Sequence, residues 1–121
     1  MDGSPDTGGI FHLLASGARR GPTFSGYRPV HKLHENYFTS GEHKYLDSDQ
    51  VPLGGSARVA VGFITPEVYP RSLWKGREVT VHEDEYLTST LKVTRVLNPN
   101  LRGSAANYNP LWTEPLGLKQ P

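Results

Sequence analysis

Arg28, in the stretch Gly26-Tyr27-Arg28-Pro29, is the residue of this chain best suited to binding chemistry. A guanidinium is a planar fork of donors that matches the oxygens of a phosphate or a carboxylate. Pro29 pushes the residue before it into an extended conformation and lacks an N–H of its own, so Arg28 is expected where a strand begins. Arg19, Arg20, His31, Lys32, His34 and Arg95 would add to one basic patch if the loop and strands that carry them converge. Tyr27 and Tyr37 would then offer ring faces for stacking. The competing reading makes Arg28 a strand-edge arginine held by a carboxylate such as Glu35, and the whole set an ordinary solvated face.

A second candidate is the run Glu83-Asp84-Glu85. Three adjacent acids suit docking of a basic protein partner; the alternative is a solvated hairpin tip. The five histidines give no HxH or HExxH spacing, and His31 and His34, three apart on one strand, should face opposite ways, so no metal site is expected. His31 shares the register of Leu33 and reads as a hydrogen-bonded structural histidine. The absence of cysteine removes disulfides, thiolate ligands and a cysteine nucleophile. There is no GxxxxGK[ST] loop to cradle a nucleotide, no G-x-S-x-G, and no spacing of Ser, His and Asp that singles out a triad. The expectation is a chain without catalytic residues and without cofactor. Trp74 and Trp112 fall in loop-like sequence, as core caps or as contact residues.

The elements that must position these residues read as short strands. The chain has 121 residues, which suits one domain, and its 36% hydrophobic content suits a modest core. Thirteen glycines and ten prolines sit at many turn-like positions, which favours an all-β chain. A formal net charge of +1 means that nucleic acid would have to be held by a local patch rather than by overall charge. The first residues lack the basic and apolar regions of a signal peptide, and no apolar run approaches the ~20 residues of a membrane helix, so a cytoplasmic location and no membrane partner are expected.

Along the chain, residues 1–8 read as a flexible arm, 9–97 as the folded unit and 98–121 as an extended or disordered, Pro- and Asn-rich tail whose Tyr108, Leu111 and Trp112 could dock onto a surface. Six strands are expected, at 9–15, 28–38, 42–46, 57–65, 77–82 and 87–97, with a hairpin turn at Ser40-Gly41. Val59, Val61 and Phe63 alternate on one face of the fourth; Leu91, Val93 and Arg95 share a register in the last. A closed antiparallel barrel or a sandwich would accommodate them, and closure removes exposed edges.

An ordered set of motifs over residues 9–97 resembles the C-terminal β-barrel domain of elongation factor Tu. The set runs from Pro22-Thr23-Phe24 and Gly26-Tyr27-Arg28-Pro29 through Phe38-Thr39-Ser40-Gly41 and Val61-Gly62-Phe63-Ile64-Thr65-Pro66. It continues in Lys75-Gly76-Arg77-Glu78-Val79 and Val93-Thr94-Arg95-Val96-Leu97. The resemblance implies a six-stranded antiparallel closed barrel without the factor's GTPase domain, an arginine at 28 near a tRNA T-stem backbone, and no nucleotide partner. Leu53 stands where the family has a turn proline, and Asp84-Glu85 where it has paired glycines, which places repulsion near any phosphate. On these grounds the chain is expected to be a binding module that recognises a protein partner or a tRNA-like RNA, by mimicry of the factor. The alternatives are an accessory or fragment of the translation machinery that contacts tRNA and, less favoured, a small enzyme.

Overall fold

The computed structural model describes residues 4–35 and 37–108. Among these lie β1 (Thr7–Leu13), β2 (Thr23–Phe24), β3 (Val30–His34), β4 (Tyr37–Tyr45), β5 (Gln50–Val51), β6 (Ser56–Phe63), β7 (Glu78–Glu83) and β8 (Tyr86–Val96). Six of them close into a barrel in the order β1-β6-β4-β3-β7-β8, each neighbouring pair antiparallel. The two-residue strands β2 and β5 pair beside it as a small ribbon. The fold class is therefore the expected one: all-β, a six-stranded antiparallel closed barrel.

Period-two alternation builds the interior. Ala57, Val59, Val61 and Phe63 of β6, Phe11 and Leu13 of β1, Val79 and Val81 of β7, and Leu91 and Val93 of β8 are all buried, with outward neighbours between them. A barrel this narrow is filled by its own side chains. Gly41 shows how tightly. The sequence suggests a turn at Ser40-Gly41, yet Gly41 lies within β4 and the hairpin connection falls between His34 and Tyr37. A Cβ at 41 would come within 2.9 Å of His31 Cε1 and 3.0 Å of both Phe63 Cδ1 and Val61 Cγ1. The glycine is there for close packing, not for turning.

Two bulges overturn two further expectations. The register between β3 and β4 shifts between Lys32 and His34, and His34 becomes buried together with His31 and Leu33 instead of facing away from His31. On β8, Gly8 pairs with Arg95 while Gly9 pairs with Val93, so Thr94 is the extra residue and Arg95 is exposed rather than sharing the inward face of Val93. The β7–β8 hairpin turns at Asp84-Glu85, and Asp84 takes the left-handed conformation there (φ 55°) that aspartate tolerates better than most residues.

The segments flanking the barrel are also more engaged than the sequence suggests. β1 starts at Thr7, and Asp6 before it is buried. Its carboxylate accepts hydrogen bonds from the Phe63 N–H (2.7 Å) and Asn98 Nδ2 (2.9 Å). Residues 98–108 form two short 3-10 turns, bury Leu101 and make a parallel bridge between Leu73 and Arg102. Tyr108 docks by donating its hydroxyl to the Leu33 carbonyl at 2.7 Å. Leu111 and Trp112 lie outside the described residues.

Candidate binding groove

The basic residues singled out in the sequence occupy different strands and loops, and several already face an acid. Arg19 Nη1 lies 2.6 Å from Glu83 Oε2, and the same side chain donates to the carbonyls of Gly21 and Pro22 and sits 5.2 Å from the Tyr27 ring centroid. The Tyr27 hydroxyl donates to the same Glu83 oxygen at 2.7 Å. Burial, together with the adjacent carboxylate and despite the Thr88 hydroxyl, raises the Tyr27 phenol far above its ordinary value. Arg19, Tyr27 and Glu83 thus form one internal clasp, and the Tyr27 ring packs edge-on against Phe11 and His43 rather than lying open to a base. Lys32 Nζ is 3.9 Å from Glu35, three residues on. His34 is stacked between the rings of Tyr69 and Tyr108. Arg20 and Arg95 are exposed, Arg95 on β8.

Arg28 is different. Its partner is Glu42, not Glu35, at 3.6 Å, and the arginine side chain remains 65% exposed. An exposed pair at that separation holds its members weakly. Residues 26–29 prolong β3 along β4: Gly41 N–H donates to Pro29, His43 N–H to Tyr27 and Gly26 N–H to the His43 carbonyl. That ladder sets Arg28 level with Glu42.

Beside it runs a groove of about 920 Å³ on the outer side of β4 and β6. Ser4 and Pro5 wall one side and Ser25, Gly26 and Arg28 the other; Ala60 and Gly62 contribute to its floor, and Leu46 and Ile64 line it as well. Leu46 is 55% exposed and Ile64 59%. Glu42 and Lys44 project from the β4 side. Lys44 makes no ion pair among the described residues. Sequence reasoning found Arg28 but missed Glu42, Lys44, Leu46, Ala60, Gly62 and Ile64. One signal was present: the alternation that sends Val59, Val61 and Phe63 inward leaves two small residues, Ala60 and Gly62, on the outer face.

Under the groove lies an unusual core pair. His31 and His43 are both fully buried, with Nε2 atoms 2.8 Å apart, and His31 Nδ1 is 3.1 Å from the Thr39 carbonyl. A carbonyl only accepts, so His31 Nδ1 carries the hydrogen. In neutral rings, His31 Nε2 then accepts from His43 Nε2–H, and His43 Nδ1 is a bare nitrogen. It has no hydrogen-bond partner among the described residues. Burial pushes His31 down to about 4 and His43 well below the ordinary histidine range, the second ring adding to the effect at His43.

At one end of the barrel Arg77 is clamped by rings. Its guanidinium carbon is 4.4 Å from the Tyr108 centroid and 5.1 Å from that of Trp74, and it donates to the carbonyls of Leu33 and Ser72 and to the Tyr108 hydroxyl. Burial lowers its pKa. This places Trp74 as a structural cap. At the other candidate site, Asp84 and Glu85 are exposed at the hairpin tip next to Tyr86, 60% exposed, and the exposed Leu87. Among the described residues no three His, Asp or Glu side chains are gathered as a metal site would require, and no helix is long and apolar enough to cross a membrane.

No protein-family model matches the chain, and no curated protein matches it. The resemblance to elongation factor Tu rests on its motifs alone.

Proposed function

We propose that this chain is a non-catalytic binding module that recognises a protein partner through the groove beside Arg28. The observation that carries this reading is the groove itself: about 920 Å³, floored by small residues, with exposed Leu46 and Ile64 and the loosely paired Arg28. Exposed apolar side chains grouped around a concave site favour a contact surface over a plain solvated face. In this reading the barrel is of the elongation factor Tu C-terminal type, and it acts in the cytoplasm as a stand-in for the factor's barrel toward something that recognises it.

RNA is the second candidate occupant, and two observations weigh against it. Glu42 projects into the groove beside Arg28, and no tyrosine, phenylalanine or tryptophan among the described residues lines it as a stacking platform. The test compares the parent chain with the groove-filling variant Ala60→Trp as baits in a lysate, reading retained proteins by mass spectrometry and retained RNA by sequencing. A set of proteins held by the parent and lost from Ala60→Trp, with both baits equally folded, is the expected result. Retention unaffected by the substitution would overturn the groove; tRNA enriched in place of protein would return the function to the RNA reading.

A further inference from the structure

The groove carries a pattern that defines a ligand class. The β4–β6 register sets four outward levels two residues apart. Ile64 N–H bonds to the Ser40 carbonyl, Glu42 pairs with Gly62, Lys44 pairs with Ala60, and Leu46 N–H bonds to the Arg58 carbonyl. Arg28 stands at the Glu42 level, and Gly26, whose N–H bonds to the His43 carbonyl, lies beside His43. From one end to the other, the levels offer an exposed apolar side chain (Ile64), a cation (Arg28), a second cation (Lys44) and an exposed apolar side chain (Leu46). Successive levels on a strand are separated by about 6.6 Å. That is also the spacing of residues i and i+2 of an extended peptide, whose alternate side chains point the same way.

We propose that the groove takes an extended acidic segment of a protein partner with apolar residues at positions i and i+6 and carboxylates at i+2 and i+4. The inference rests on the binding-module reading and adds to it the chemistry of the partner. Each requirement has its residue. Gly62, Ala60 and Gly26 carry little or no side chain, which leaves room for a backbone to approach. Lys44 has no carboxylate partner among the described residues, and Arg28 has one only at 3.6 Å, so both can accept an incoming acid. Glu42 is the internal competitor for Arg28. An incoming carboxylate at that level must draw Arg28 away from it, so Glu42 weakens the binding of the acidic segment without abolishing it. Apolar ends on Ile64 and Leu46 set the register of the segment along the groove.

The probe is a fluorescein-labelled peptide with leucine at positions one and seven, glutamate at three and five, and serine between. Its control has the same composition with the glutamates moved to positions two and four. Fluorescence anisotropy should show the first bound about tenfold more tightly than the second, as one or two charge-assisted contacts warrant. Arg28→Glu with Lys44→Glu should abolish that preference and instead retain a peptide carrying lysine at three and five. Both positions are on the surface, and an unchanged melting temperature would confirm that the double variant folds. Glu42→Gln should bind the glutamate peptide more tightly than the parent. Equal binding of the two peptides, or indifference to the charge reversal, would overturn the inference. If Ala60→Trp releases a lysate protein while the glutamate peptide never binds, the groove stands and its acidic ligand class falls. If Ala60→Trp changes nothing and the peptide does not bind, both readings fall together.

Discussion

The His31–His43 pair ties a single hydrogen-bond pattern to a measurable pH response. Both rings are neutral in the folded barrel, because a charge there would be desolvated and the facing groups are Phe11, Tyr27, Tyr45, Phe63 and the Thr39 carbonyl. The unfolded chain protonates its histidines near the ordinary value, while the folded chain resists until much lower pH. Between those points the unfolded state binds more protons, so stability rises with pH and is lost as pH falls. For His31, lowered from 6.5 to about 4, the full loss is on the order of 3 kcal/mol. Urea denaturation should therefore show a plateau above about pH 7 and a fall toward about pH 4.5. Stability that does not change across that interval would rule out neutral, buried rings. Arg28 makes the opposite case. Its exposed pair with Glu42 contributes little, so Arg28→Ala should move the unfolding free energy by no more than about 0.5 kcal/mol, and a larger loss would mean that it is a structural residue. The sequence pointed to Arg28 through its forked guanidinium and the Gly26-Tyr27-Arg28-Pro29 motif. It named the wrong acid because Glu35 is near in sequence, whereas Glu42 is near across a ladder.

At the scale of the element, alternation made most strands legible and bulges made the rest illegible. β6 and β7 could be read from their period of two, since a strand with one buried face has its register fixed by that face. A bulge breaks the period without leaving a mark in the sequence, and this is why His34 and Arg95 were assigned to the wrong faces. Gly41 was misread because a glycine in a strand and a glycine in a turn look alike in one dimension; only the facing His31, Phe63 and Val61 side chains distinguish them. Gly41→Ala should accordingly cost about 1–3 kcal/mol through overpacking, measured by chemical denaturation at neutral pH. A turn glycine without such neighbours would lose less, and an unchanged midpoint would show that the interior can yield. The β7–β8 hairpin gives a different expectation. Asp84 and Glu85 are exposed and make no ion pair among the described residues. Reversing both to lysine should leave the melting temperature almost unchanged, while slowing association with any basic protein that docks on this tip, most visibly at low salt. Association rates equal to the parent's at two salt concentrations would identify the tip as a solvated turn.

Across the whole molecule, closure of the barrel depends on contacts that no local pattern could announce. Asp6 joins three distant parts of the chain. Its N–H donates to Val61, its carbonyl accepts from Leu97 and Asn98, and its carboxylate holds the Phe63 N–H and the Asn98 side chain. A short polar N-terminus rich in Gly and Pro reads as a flexible arm because its partners lie 57 and 92 residues away. The docking of Tyr108 was expected, but the same reason hid its partners, Arg77 and Leu33, and the 3-10 turns that lead to it. Asp6→Ala would leave the Phe63 N–H, at the end of β6, without its acceptor in a buried setting. The cost of a buried donor deprived of a charged acceptor is about 1.5–3 kcal/mol. Because Asp6 secures the seam without filling the core, the variant should still form the same barrel. The expected result is an unchanged circular dichroism spectrum, an unchanged denaturant slope and a lower midpoint, since the slope reports the surface exposed on unfolding. Amide exchange should accelerate first at Phe63, whose N–H loses the carboxylate, whereas the Leu97 and Asn98 N–H groups keep the backbone carbonyl of residue 6. A uniform acceleration across all strands, or none at Phe63, would show that the barrel closes through its strands alone and that the Asp6 carboxylate is incidental to the seam.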